Sequence, residues 1–473
     1  MQNDKSLKAA ILKEGEEFAK RNPRSGEISN FSSSYLPGGS LFPPTFLPLQ
    51  LEHSRRKSRL ADHQPGTTRN VVYMKPFPLV MARGEGSYLF DVDGHSYLDL
   101  CGEYSAGMFG HSHPVICKAM HDAIDQGVAL GSVNQYEGKL GQLICERFPS
   151  IKKVRFSNSG TEAVTTCLSL IRAFTAKSTF IVFQGGYHGG LAAFSSEKEN
   201  NMQQSGTRTM NVPHKFVVAP YNDAVALVDF VQKHKDDLAG IVVEAMQGSS
   251  GCIPADVEFL KTCRRLATEA GCVFLMDEVM TSRMSIGGYQ SLLGITPDMT
   301  TLGKYLAGGG CNFGAFGGRA DIMEILEPGR PGGVYHSGTY NNNVVTMAAA
   351  VAALEEVWTQ KAAEDLWEIG VWLRQKLNDL SARLGTMLHV SGTGSLMSVH
   401  FTGKPVRNST DVQQGSAPLK EFFFLQMLKK GFFIARRGMI SLLLVQTREQ
   451  LETFIKAVEE FLVENKELVR LPN

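Results

Sequence analysis

The sequence predicts an α/β protein: a large unit with a mostly parallel central sheet, and a smaller α+β unit beside it. Three observations predict this. From Val154 onward, short apolar runs alternate with stretches of helical spacing, the order that builds a parallel sheet with right-handed crossovers. Several of those runs are apolar throughout instead of alternating, as strands covered on both faces are. Near the C-terminus the alternation stops, and strands and helices of mixed order follow.

The elements follow in order. Leu7, Ala10, Ile11 and Phe18 have helical spacing over 5–20, and Asn22-Pro23 ends that helix. Tyr35-Leu-Pro37-Gly38-Gly39 opens a turn. Residues 40–66 look foreign to the rest: 41–51 are too rich in proline for a helix or strand. Ser54-Arg-Arg-Lys-Ser-Arg59 is a basic cluster with no apolar face, so 40–66 read as a disordered insertion. Asp93-Gly94 between the runs 88–91 and 96–100 predicts a hairpin. Helices are expected over 115–126 and 136–147, a strand over 154–156, then a helix to about Thr175. Strands over 180–183, 239–243 and 273–276 follow, with a helix over 256–270 before the last. A long Ala-rich helix starts after Asn343, and a second helix over 361–384 holds two tryptophans. The end reads as a strand over 394–401, a helix over 417–430, short strands within 432–445 and a helix over 447–465. Gly392-Thr-Gly394 lacks the third glycine and the βαβ context of a dinucleotide site and reads as a bulge or turn.

Composition narrows the function. The chain of 473 residues is 43% hydrophobic and 20% charged, enough for a large core and two separately packed domains. Basic and acidic side chains nearly cancel, 48 against 47, so neither nucleic acid nor an anionic membrane is expected as a partner. The 8 cysteines lack paired spacing and several sit in apolar runs, which suits free thiols in a reducing, cytoplasmic setting. No run reaches the length of a membrane span. His111 and His113 stand without a fuller ligand set, so no metal is expected there.

The chemistry lies at the ends of the expected strands. The run from Cys272 ends in Asp277-Glu278, and a second short run, 298–303, ends in Lys304, with glycines at 308–310. In open α/β sheets the ligand sits outside the carboxyl ends of the strands. A lysine amine there can form a Schiff base, and a carboxylate can hold a pyridinium nitrogen protonated. Ser159-Gly160-Thr161 lies between a strand and a helix, where free N–H groups and two hydroxyls suit a phosphate. The same residues also fit a plain capping box, Ser159 with Glu162. Tyr187 stands between glycine pairs, as a stacking ring or as a turn residue. Glu244 ends another strand. In a parallel sheet all five strand ends share one edge. A phosphate cup, a ring stack, a pyridinium partner and a Schiff-base lysine together are what pyridoxal 5'-phosphate needs, and the convergence favours that cofactor over scattered structural roles.

With these residues in place, the chain resembles the fold-type I pyridoxal-phosphate enzymes of the class III aminotransferase group. The resemblance covers most of 69–465 and runs through Asp91-Val-Asp-Gly94, Gly110-His-Ser-His-Pro114, Ser157-Asn-Ser-Gly-Thr-Glu-Ala163, Gly186-Tyr-His-Gly189, Asp277-Glu-Val279, Thr301-Leu-Gly-Lys304 and Ser337-Gly-Thr339. It implies Lys304 as the Schiff-base lysine, Asp277 on the pyridine nitrogen, and Val279 and Tyr187 on opposite ring faces. It implies Ser159, Gly160 and Thr161 on the phosphate, and counts Gln247 among the cofactor-binding residues. Thr339 would reach the phosphate of a partner subunit, which implies a homodimer.

Two branches of the group compete: glutamate-1-semialdehyde 2,1-aminomutase, and β-amino-acid transaminases, especially those acting on β-phenylalanine. Glu103-Tyr-Ser-Ala-Gly107, 246–254, 277–283 and 313–319 resemble the second. Glu244 is usually followed by proline in this group; here Ala245 follows. The β-transaminase resemblance places substrate-carboxylate arginines at Arg69 and Arg437, and a guanidinium does grip a carboxylate bidentately. Arg436 beside Arg437 leaves that register open by one. The expected division is an N-terminal arm (1–39), the insertion (40–66), a large cofactor-binding domain (105–360), and a small domain from 67–104 with 361–473. The implied reaction moves an amino group from a β-amino acid to a 2-oxo acid.

Overall fold

The computed structural model describes residues 2–36, 69, 72, 74–190 and 214–471. The expected insertion at 40–66 lies outside the described residues, as does most of the turn expected after Tyr35.

A 7-stranded sheet organises the molecule. Its order is Lys153–Ser157, Gly314–Gly318, Met299–Gly303, Val273–Asp277, Leu238–Glu244, Thr179–Phe183 and Lys215–Ala219. Gly314–Gly318 runs antiparallel to both neighbours, and the other pairings are parallel. Six strands therefore point the same way. The central runs are apolar because helices cover both faces: Ile241, Val242, Val243, Phe274, Leu275 and Met276 are all fully buried. Each such side chain contributes about 1.5–3 kcal/mol by leaving water. The antiparallel strand is glycine-rich for a steric reason. A Cβ on Gly314 would lie 2.0 Å from the Ser159 carbonyl oxygen, so a side chain here would force apart the sheet and the 159–161 loop.

The ends of the chain meet. Met81–Glu85, Tyr88–Asp91 and Ser96–Asp99 form an antiparallel meander, and Phe432–Phe433 adds to it in parallel beside Leu98 and Asp99. Asp91 supports the expected hairpin by accepting from the backbone N–H of Asp93 and His95. His111 bonds Asp99 at 3.0 Å. Leu388–Thr393 and Leu396–Phe401 make a hairpin around Gly394; of Gly392-Thr-Gly394 only Gly394 lies in the turn, and Gly392 and Thr393 end the first strand, paired with Met397 and Leu396. Gln2–Arg21 packs on Ala417–Lys429, where Lys429 pairs with Glu17 at 2.7 Å and Glu14 at 3.2 Å. Among the described residues no helix is long and apolar enough to cross a membrane.

Several elements were not anticipated. Pro23 does end the first helix, but it also starts another, Pro23–Ser33, because proline suits a first helical position. Lys215–Ala219, Ala224–His234 and Gly314–Gly318 are further additions. The Ala-rich helix Val344–Ala352 continues into a π-helical turn, Ala353–Val357. Arg147 donates to Leu354 O and Trp358 O there and satisfies carbonyls that the irregular turn leaves over.

Candidate active site

Five of the parallel strands end on one edge with the side chains singled out from the sequence: Ser157 before Ser159, Phe183 before Tyr187, Glu244, Asp277, and Gly303 before Lys304. Strand register places Asp277 directly beside Glu244 and Thr301.

Asp277 is buried and accepts three hydrogen bonds. Val279 N and Thr301 Oγ1 donate to Oδ1 at 3.1 and 3.0 Å, and His188 Nδ1 lies 2.8 Å from Oδ2. A carboxylate offers about four lone-pair directions, so one acceptor direction is left for a ligand. Burial opposes a charge on His188, but its hydrogen bond to Asp277 and the Asp277 charge outweigh burial and raise its pKa. Sequence reasoning missed His188, although it lies inside the Gly186-Tyr-His-Gly189 stretch. Its role depends on a partner 89 positions away, and no local pattern carries that.

Glu244 shapes the neighbouring loop. Its Oε1 accepts from Tyr187 N at 2.8 Å and its Oε2 from Gly248 N at 3.2 Å. Burial pushes its carboxyl up to about 7; His188 opposes this and Asp277 adds to it. Ala245 in place of proline does not loosen this hold, since both oxygens are engaged and Ala245 is fully buried. The Tyr187 side of the loop stands open, with 55% of the residue exposed. Gln247 donates from Nε2 to Gln184 O at 2.9 Å, while its buried Oε1 has no partner among the described residues. Its carboxamide thus ties the tyrosine loop to the strand Met246–Gln247.

The 159–161 loop is both things the sequence offered. Ser159 caps the helix Gly160–Thr175 by accepting from Glu162 N at 3.1 Å. The N–H groups of Gly160 and Thr161, at the first two helical positions, have no intrahelical acceptor and carry the positive end of the helix dipole. Thr161 Oγ1 also accepts from Gly190 N at 3.3 Å. Gly160 must lack a side chain: a Cβ there would reach 3.0 Å from Val279. Thr339 is exposed, and no hydrogen bond among the described residues joins it to this loop. Its neighbour Asn341 does reach the loop, accepting from Asn158 Nδ2 at 3.0 Å.

Lys304 begins just past its strand with φ +59. Its Nζ donates to Tyr104 O at 2.9 Å. Burial and the nearby Arg437 push the amine down to about 8. Tyr104 belongs to an unusual turn. Glu103, Tyr104 and Ser105 all have positive φ (48, 54 and 81), a conformation that costs a non-glycine residue roughly 1–3 kcal/mol. The turn is held at both ends: Asp99 Oδ1 accepts from Cys101 N and Gly102 N, and buried Arg283 donates to Ser105 O. Arg283 also donates to Ser441 Oγ at 2.7 Å and to Leu442 O, which bonds the turn to the C-terminal strand Met439–Ser441.

The two expected substrate arginines converge on this turn. The Arg69 and Arg437 guanidinium carbons lie 5.6 and 5.3 Å from the Tyr104 ring centroid, over the ring. Arg69 also pairs with Glu103 at 2.5 Å. Arg437 donates to Ser249 Oγ at 3.5 Å and approaches Met439 Sδ at 3.2 Å. Arg436 is paired with Glu421 at 2.6 Å. Arg437 is the one of the two whose guanidinium is placed over the Tyr104 ring, in the register the sequence reading favoured.

The comparisons with known proteins agree with this layout. The family described as aminotransferase class-III matches residues 70–462. The chain belongs to the class III aminotransferase family. Members of this family use pyridoxal phosphate. A β-phenylalanine transaminase of Variovorax paradoxus is 43% identical over 403 residues, 85% of this chain and 90% of the relative. An uncharacterised aminotransferase of Schizosaccharomyces pombe is 39% identical over 468 residues, 98% of each chain. A crystal structure of a β-phenylalanine aminotransferase from Variovorax paradoxus superposes with a TM-score of 0.89 at 38% identity, covering 99% of this chain and all of that one (100%). Glutamate-1-semialdehyde 2,1-aminomutase of Heliobacterium modesticaldum is more distant, 34% identical over 81% of this chain. The fold is thus that of fold-type I transferases, as the sequence predicted.

The residues present fit the family's cofactor. Asp277 keeps an acceptor direction, the 159–161 loop presents free N–H groups, and Lys304 is depressed toward its neutral form.

Proposed function

We propose that this class III aminotransferase moves an amino group from a β-amino acid, aromatic in class, to a 2-oxo acid. The observation that carries the reading is the pair of guanidiniums, Arg69 and Arg437, meeting over one tyrosine beside Lys304. A transaminase must hold two different acids in turn, and two cations close enough to act on the reacting amine serve both. Similarity to the Variovorax β-phenylalanine transaminase supports the same choice.

Pyridoxal phosphate, when bound, acts as the electron sink for the carbon that carries the nitrogen. Asp277 would hold the pyridine nitrogen, with His188 fixing the carboxylate's orientation. Val279 and Tyr187 would hold the ring between them, with Glu244 and Gln247 fixing the tyrosine loop. Ser159, Gly160 and Thr161 would bind the phosphate. Lys304 Nζ would anchor the cofactor and, once the substrate amine has taken its place, would accept the proton from the nitrogen-bearing carbon. Its depressed pKa leaves the amine neutral enough to do so near pH 8. Arg69 holds the carboxylate of the β-amino acid, and Arg437 engages a carboxylate of the donor or of the 2-oxo acid.

The protein works as a cytoplasmic homodimer in this reading. Val128, Leu130 and Val133 are exposed, as are Tyr335 and Tyr340. Their two segments adjoin: Asn342 Nδ2 donates to Ser132 O at 3.2 Å, and Asn134 Nδ2 to Asn342 O at 2.7 Å. Such a patch suits a second copy, and Thr339 within it would reach the phosphate in the partner subunit. The same reading divides the chain into a large domain, 105–360, and a small one drawn from the sequence on either side, 67–104 and 361–473.

A donor screen tests the reading. Purified protein with pyridoxal phosphate, β-phenylalanine and 2-oxoglutarate should form glutamate. Turnover of glutamate-1-semialdehyde alone, with none of β-phenylalanine, would move the assignment to the aminomutase.

A further inference from the structure

The two substrate arginines are not equivalent. Arg437 touches only neutral partners among the described residues, the Ser249 hydroxyl and the Met439 sulfur. Arg69 already holds a carboxylate, that of Glu103, at 2.5 Å. We propose that Glu103 is a specificity-determining residue: its carboxylate occupies Arg69 until the carboxylate of a β-amino acid displaces it. The proposal rests on the transaminase reading above, which gives Arg69 to the donor.

The geometry makes Glu103 an exchangeable occupant. Both side chains are about half exposed, 45% for Arg69 and 52% for Glu103, so an incoming acid can reach the guanidinium from solvent. The backbone beneath Glu103 cannot follow the exchange. It is fixed in left-handed conformation, bonded to Asp99 on one side and Arg283 on the other. The adjacent Tyr104 carbonyl holds Lys304, and the adjacent ring carries both guanidiniums. Glu103 can therefore leave Arg69 by side-chain rotation alone, without disturbing Tyr104 or Lys304. A carboxylate at Arg437 displaces no charged group. A carboxylate at Arg69 must compete with Glu103. The device raises the threshold for one of the two substrates only.

Its sign is opposite to that of a supporting role. If Glu103 only oriented Arg69, neutralising it would weaken donor binding. As a competitor, its loss strengthens it. The probe is 3-phenylpropanoate, an aromatic acid with the donor's skeleton and no amine, titrated calorimetrically into the holoenzyme. Glu103→Gln should tighten its binding by about twofold to fivefold, the scale of an exposed ion pair. The KM for β-phenylalanine should fall in parallel, with that for 2-oxoglutarate unmoved. In an Arg69→Ala background, Glu103→Gln should change neither. Unchanged or weaker binding in Glu103→Gln, or the same gain without Arg69, overturns the proposal. A wild-type enzyme that turns over no β-amino acid would instead remove the functional reading beneath it.

Discussion

The floor of the site and its substrate wall are built by different means. The floor consists of Asp277, Glu244 and His188 at the ends of regular parallel strands, buried and bonded to one another or to backbone N–H groups. The wall consists of Arg69, Tyr104 and Arg437 from three distant segments, with positive-φ backbone at its centre. In the floor each acid has its donors fixed before any ligand arrives. In the wall the cations are held by a ring face and one exchangeable carboxylate. The difference matches the tasks: one cofactor stays, while two substrates alternate.

The largest effect should come where floor and wall meet. If Lys304 is both the anchor and the proton carrier, as proposed, Lys304→Ala should lower turnover by at least about 10²–10⁴-fold. Single-turnover absorbance with β-phenylalanine would measure this, and near-normal rates would dissociate Lys304 from the chemistry. Arg69→Ala should cost β-amino acids about 2 kcal/mol or more of binding, within the ~2–5 kcal/mol range for buried charged pairs and at its lower end because Arg69 is half exposed. An amine without a carboxylate should lose little, so equal losses for both donors would show a folding role.

A pH profile sharpens the contrast further. Burial and Arg437 bring Lys304 from the usual 10.5 down to about 8, so its neutral, reactive form appears above that pH. Capture of pyridoxal phosphate by the apoenzyme should quicken with pH around a midpoint near 8; a midpoint near 10.5 would mean an unperturbed amine. The same depression has a consequence for folding. Between about pH 8 and 10.5 the unfolded chain binds more protons at this lysine than the native one, so its contribution favours the native state more as pH rises through that window. The smallest effect belongs to the tyrosine. Tyr104→Leu should raise KM for both donor and acceptor by about twofold to fivefold, through two cation–π contacts of ~0.5–1 kcal/mol each. Tyr104→Phe should restore both values. A change confined to one substrate would show that only one arginine leans on the ring.

The same contrast explains what the sequence revealed. The floor was legible because Asp277, Glu244 and Lys304 sit at the ends of apolar runs, and a parallel sheet brings such ends together. Arg69 and Arg437 came from the resemblance, since nothing local connects them. Glu103, Tyr104 and Ser105 entered through the resemblance alone, and their turn gave no local signal: positive φ on three non-glycine residues contradicts their ordinary preferences. Gly314–Gly318 escaped for a related reason. Glycine argues against a strand interior, yet the close approach of Ser159 O excludes anything larger. The choice between Arg436 and Arg437 was hidden because it depends on contacts with Glu421 and Tyr104, on other elements.

The joining of the chain's ends has a consequence for synthesis. Gln446 Nε2 donates to Asp99 O at 2.6 Å across 347 positions, close to where Phe432–Phe433 pairs with Leu98 and Asp99. A ribosome adds about 5–20 residues each second, so those early strands wait roughly 20–70 s for their partner. Through that interval a growing polypeptide carries an open β-edge, the kind of surface on which neighbouring nascent chains pair with one another. The assembled wall is therefore among the last parts of the molecule to exist, and the newborn enzyme gains its cofactor platform before it can choose a substrate.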